Sequence, residues 1–199
     1  MPDAARARPG GRTARIRASA LDATLAELAD RGYLALTVEG VAARAGVHKA
    51  TLYRRWGGKE QLVLDAVEAF AAASVPEVPD TGSVDDDLRL WARSIVATIT
   101  ARDSGAVVRA LSRAGDAPQV RDLQRRYYLT RLARVVPIVE RAVRRGQLPA
   151  GTDATEVIKH VGAPLYYRLL VIAEPVTVDA ADLAAAATTA AARAGVFVR

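Results

Sequence analysis

The chain has 199 residues, 51% of them apolar and 25% charged, with a formal net charge of +6 and no cysteine. That is a soluble globular composition, long enough to bury a core. It excludes disulfides and thiolate metal sites, and no apolar run reaches the ~18 residues of a membrane span.

The positive charge is concentrated. Residues 1–59 hold eleven Lys or Arg against five acids, and the remaining 140 hold 17 of each. This asymmetry points to a polyanion-binding head on a neutral body. The opening "MPDAARARPGGR" lacks the apolar core of a signal peptide, so a cytoplasmic protein is expected.

Residues 1–12 read as a disordered basic arm. A first helix is expected from Thr13 to Arg31, with Ile16, Ala20, Ala23, Leu25 and Leu28 at helical spacing and Gly32 as its stop. Thr37 is placed to cap a helix over Val38–Ala45. Gly46 permits a tight turn, and a short helix follows over Lys49–Trp56. Gly57 and Gly58 break the chain before a longer helix from Lys59 to Ser74. Val75–Gly82 reads as a linker. Ser83 and the acids Asp85, Asp86 and Asp87 favour a helix start, because anions suit the positive end of the helix dipole. Leu88, Trp91, Ile95 and Ile99 share one face of that helix. Further helices are predicted over Gly105–Arg113, from Asp116 and Pro118 to Arg145 with a kink at Pro137, over Ala154–Ala173 and over Ala180–Ala194. No strand-like alternation or repeat is present, so the reading is all-α with about nine helices.

Two short helices joined at Gly46, with the small Ala42 where they meet, make a helix-turn-helix. Leu52 and Trp56 face inward, leaving the other faces of the second helix for DNA. The stretch "LTVEGVAARAGVHKATLYRRWGGKEQLVLDAV" resembles the DNA-binding region of the tetracycline-repressor (TetR/AcrR) family. Thr37, Val41, Ala42, Ala45, Gly46, Val47, Thr51, Leu52, Tyr53, Lys59 and Leu62 match that family's pattern at the right spacing. The resemblance covers roughly residues 13–65; the rest fits by length, helical character and the "GAPLYYRLL" stretch. It implies a DNA-binding domain over 13–58 and a ligand-binding and dimerisation domain over 59–199.

The resemblance also implies roles. Lys49 and Ala50 begin the groove-facing side of the recognition helix. Thr51 and Tyr53 contact phosphate or base, and Arg55 reads a base edge, with Arg54 a weaker candidate. Lys59 and Thr37 touch phosphates, and Arg12 and Arg15 reach the backbone or minor groove. Two positions depart from the pattern. His48 replaces the usual serine before the recognition helix, which loses its N-cap; the imidazole either binds a phosphate or is a plain loop residue. Trp56 replaces the usual Phe or Tyr and is expected to be a core anchor. Gly40 costs local helix stability but allows close approach of the first helix.

One such unit makes too few contacts for useful specificity, so a homodimer reading a palindromic operator is expected. Ile158, Val161, Leu165, Leu169 and Ile172 form an apolar stripe for the interface, with Gly162 and Ala163 permitting close approach. The nearly all-small last helix is expected to join them. The resemblance further implies a small-molecule cavity, with Phe70, Trp91, Ile95, Leu111, Tyr127, Tyr128, Leu132, His160, Tyr166 and Tyr167 as candidate walls. Their character favours a lipophilic or aromatic effector. Arg125, Arg126, Arg131, Arg134, Arg141, Arg144 and Arg145 crowd one helix; a solvated face paired with acids is expected there, rather than an attractor for an acidic ligand.

The function expected is a ligand-responsive transcriptional regulator, a repressor by the usual habit of the family, with no cofactor or metal. An enzyme finds little material in two histidines. Asp85–Asp87 are splayed by a helix and suit a cap better than a metal site. A sequence-independent DNA packager would need basic charge over the whole body.

Overall fold

The computed structural model describes residues 9–74, 77–112 and 118–199. Nine helices run through them: α1 (Pro9–Ala35), α2 (Val38–Ala45), α3 (Lys49–Trp56), α4 (Lys59–Ala73), α5 (Val84–Thr100), α6 (Arg102–Ser112), α7 (Pro118–Arg144), α8 (Ala154–Leu170) and α9 (Val178–Arg193). The chain divides into two compact units, Met1–Ala69 and Phe70–Arg199. Most of the expected arm, residues 1–8, lies outside the described residues, as do the linker's Val75 and Pro76 and residues 113–117.

In the first unit α1 packs on α2 and α2 on α3. Thr37 caps α2 by accepting from the Gly40 N–H at 3.1 Å. Gly46 takes the left-handed conformation (φ 66°) and closes α2, which only a residue without a Cβ does freely. Gly32, at φ 73°, interrupts α1 as expected, and the segment after it resumes a helical turn to Ala35. A Cβ on Gly40 would sit 3.0 Å from the Glu27 carboxylate. That carboxylate is buried and paired with Arg31 (3.2 Å) and Arg44 (3.1 Å), so the missing side chain is what admits the α1 ion pairs against α2.

In the second unit α5 is central and packs on α6, α7, α8 and α9. Leu88, Trp91, Ile95 and Ile99 form its buried stripe. Ser83 caps it, accepting from the Asp86 N–H. Buried Asp87 accepts from both the N–H and the hydroxyl of Thr81 at 2.8 Å. Asp85 pairs with Arg193 and Asp86 with Arg89, so the three acids point apart as a helix requires.

Five expectations are corrected. α1 starts at Pro9 rather than Thr13, so residues 9–12 of the expected disordered arm are helical. α6 starts at Arg102 rather than Gly105, and Gly105 lies inside it, where a Cβ would meet the Ile99 carbonyl oxygen at 2.5 Å. α8 stops at Leu170 rather than Ala173: Ala173 takes a left-handed φ of 53°, which leaves the helical region, and Pro175 follows two residues later. α9 begins earlier than Ala180, at Val178, and ends at Arg193. Arg131 is not on a solvated face: it is 2% exposed. The tail returns to the loop before α8, where Asp153 N–H donates to the Phe197 carbonyl at 2.8 Å.

Candidate nucleic-acid interface and effector cavity

In α3, Leu52 and Trp56 are buried, and the Trp56 indole N–H donates to Asp65 at 3.0 Å. This fixes the helix's orientation. Lys49, Ala50, Tyr53, Arg54 and Arg55 are exposed, and Thr51 is half-buried. At 100° per residue, Ala50 and Arg54 stand most nearly opposite the buried side. Arg55 lies to one flank, its guanidinium 5.2 Å from the Trp56 ring centre. His48 is exposed and makes no side-chain cap, and the Thr51 N–H donates to the His48 carbonyl at 2.8 Å, which leaves the N–H groups of Lys49 and Ala50 to an anion. Arg12, Arg15 and Thr37 are exposed. Lys59 is turned inward, donating to the Tyr33 carbonyl at 3.2 Å with its ammonium 4.6 Å from the Tyr33 ring.

The second unit holds a cavity of about 270 Å³ between α5, α7 and α8. Trp91, Ile95, Tyr128, Leu132, Ile158 and Tyr166 give it apolar walls. An aromatic chain runs beside it. Phe70 stacks on Tyr127 at 5.7 Å, Tyr127 meets Tyr128 edge-on at 5.1 Å, and Tyr128 meets Tyr166 edge-on at 5.1 Å. Burial raises the pKa of all three phenols, so they stay neutral donors. The Arg131 guanidinium also lines the cavity, 5.1 Å from the Trp91 ring and 5.5 Å from Tyr127. Its Nη2 and the Trp91 Nε1 are buried without a hydrogen-bond partner.

Comparison with known proteins agrees with this division. Residues 20–66 match the model of the tetR family of bacterial regulatory proteins. Residues 78–189 match a tetracyclin repressor-like C-terminal domain. The chain belongs to the TetR family. It is 34% identical over 151 residues to the HTH-type transcriptional regulator AqdR of Rhodococcus erythropolis, covering 76% of this chain and 72% of that one. It is 33% identical over 161 residues to the regulator Rv1556 of Mycobacterium tuberculosis, covering 80% and 78%. Among solved structures, the TetR-family regulator SCO0332 superposes with a TM-score of 0.68 at 29% identity, covering 88% of this chain and 97% of that one. The flavonoid-responsive regulator FrrA shares the fold (TM-score 0.66, 22% identity, 88% and 93% covered). The protein is thus a TetR-family DNA-binding transcriptional regulator and not an enzyme.

Within this TetR-family body, five of the expected wall residues line the cavity: Trp91, Ile95, Tyr128, Leu132 and Tyr166. The other five do not. Phe70 and Tyr127 stand behind the wall in the aromatic chain. Leu111 is buried in the core. His160 is exposed, against Phe197 at 4.7 Å, with Nδ1 2.8 Å from the Glu156 carbonyl oxygen. Tyr167 is 52% exposed and does not line the cavity. Sequence reasoning missed Arg125, Leu129, Ile158, Lys159, Gly162 and Ala163 as cavity residues and put Arg131 at the surface.

The expected interface stripe is also corrected. Ile158, Val161 and Leu165 are buried in the chain's own core, and Gly162 approaches Ile95 there. Leu169 is half-buried and Ile172 exposed. The face of α8 that solvent reaches carries Ala163, Pro164, Tyr167 and, just beyond its end, Val171; that of α9 carries Leu183, Ala186, Ala187 and Ala190.

Proposed function

We propose that the protein is an effector-responsive repressor that acts in the cytoplasm as a homodimer on a palindromic operator. The observation that carries this reading is α3 itself: an eight-residue helix anchored by Leu52 and Trp56, with three cations, no acid and an uncapped N-terminus on its exposed side. Ala50, Arg54 and Arg55 meet base edges, while Tyr53, Thr51, Thr37 and Lys49 take phosphates. His48 adds a phosphate contact at the helix start, and Arg12 and Arg15 track the backbone. Lys59 keeps its bond to the Tyr33 carbonyl and offers its remaining protons to a phosphate.

The apolar faces of α8 and α9 support dimerisation, since monomers rarely expose contiguous apolar surface. Two recognition helices so joined read half-sites about one DNA turn apart. The cavity between α5, α7 and α8 receives a small molecule that favours a dimer whose α3 helices no longer match that spacing. The DNA-binding segment is residues 13–58, and 59–199 senses and dimerises. A nuclease-protection footprint upstream of the protein's own gene, at near-physiological salt, tests this. A short protected palindrome is expected; diffuse protection, unchanged by competitor sequence, refutes a sequence-reading dimer.

A further inference from the structure

We propose that the effector is a small aromatic or lipophilic carboxylate, with its charge held by Arg131. This rests on the reading of the cavity as the effector site. Other arginines on α7 and just past its end meet carboxylates: Arg126 pairs with Asp122, Arg141 and Arg145 with Asp80. Arg131 is the buried one, and no carboxylate among the described residues lies within ion-pair reach of it. Its protein contacts are two aromatic faces and one long bond, Nη1 to the Ser74 carbonyl at 3.4 Å. A buried unpaired charge is costly, and Nη2 lacks any acceptor.

The rest of the cavity has the same sign. Arg125 and Lys159 line it and no Asp or Glu does. Lys159 is answered by Glu156 at 2.7 Å, while Arg125 makes no ion pair among the described residues. A carboxylate suits this site in shape as well as charge, because the guanidinium fork binds it with two parallel hydrogen bonds. The orphan Trp91 N–H supplies a further donor. A phosphate, doubly charged, would need more donors than one buried guanidinium and apolar walls provide. The cavity, about 270 Å³, suits a body of one or two rings or a short chain, packed on Trp91, Tyr128 and Tyr166.

The test is calorimetric titration of the full chain with benzoate, cinnamate, naphthoate and octanoate, each beside its primary amide. At least one carboxylate is expected to bind ten times more tightly than its amide. Arg131→Met should abolish that preference and Arg131→Lys retain part of it, with thermal melts verifying that both variants fold. Amides binding as well as the acids would overturn the anionic assignment while leaving an effector cavity. Binding of neither class would overturn both. A preference that survives in Arg131→Met would overturn the role of Arg131.

Discussion

The Tyr53 hydroxyl donates to Glu39 Oε1 at 3.4 Å, and the same oxygen lies 3.8 Å from Lys49 Nζ. One exposed carboxylate on α2 therefore engages two groups that the DNA backbone would otherwise hold. DNA binding must break both contacts and bring phosphates toward Glu39. Glu39→Gln is expected to tighten binding to all sequences alike, by roughly 1 kcal/mol, and to steepen the salt dependence by about one counterion. Fluorescence anisotropy at several salt concentrations reads both; an unchanged slope would show that Glu39 lies outside the phosphate field.

Arg54 and Arg55 are separable. Both are exposed, but Arg54 stands opposite the buried side of α3 while Arg55 rests against Trp56. Each Ala variant should lose about 1–3 kcal/mol on the operator if its guanidinium reads a guanine, and preference should relax at one base position. Selection from a random DNA pool with each variant assigns the base. A uniform loss across sequences would instead mark a phosphate contact.

Leu183 is 66% exposed in the middle of the small-residue face of α9. Leu183→Arg should convert dimer to monomer in sedimentation velocity and abolish operator binding, leaving the fold intact by circular dichroism. A dimer persisting in that variant would move the interface off α9.

Gly105 has no room for a methyl group, since its Cβ would meet backbone rather than a side chain that can swing away. Gly105→Ala should cost roughly 2 kcal/mol, within the range for overpacking. A melting temperature equal to wild type would mean that α6 slides freely on α5.

Acid should loosen the second unit. The Arg93 guanidinium, bonded twice to Asp182 at 2.7 Å, holds that carboxyl below its ordinary pKa, and Arg145 does the same for Asp80. Groups with depressed folded values contribute stability that is complete above their unfolded pKa of about 3.9 and lost as pH falls through the folded value. Melting temperature should therefore drop below about pH 4, and less steeply in Asp182→Asn.

The first unit was legible because its signals are local. Thr37, Gly46 and the pair Leu52/Trp56 determine caps, turn and helix orientation within a few residues of themselves. The cavity was not, because periodicity tells which residues point inward but not which inward residue borders a void. Phe70 and Leu111 point inward and meet neighbours; Ile95 points inward and meets space. Ile158, Val161 and Leu165 make a stripe that looks the same in sequence whether a partner or the chain's own core covers it. The charge of Arg131 points to the surface, since charged residues are seldom buried, yet Val120, Leu123, Tyr127, Val135 and Ile138 bracket it at helical spacing in the core register of α7.

On the proposed reading, that arginine sets stability against sensing. A buried charge with no anionic partner is costly, so Arg131→Met should yield a protein that melts no lower than wild type. Under selection for persistence alone, the position would drift to methionine or leucine within a short mutational walk. On that reading, such variants would keep their operator but lose their effector, so the charge that costs stability in the core is the one that lets the protein respond.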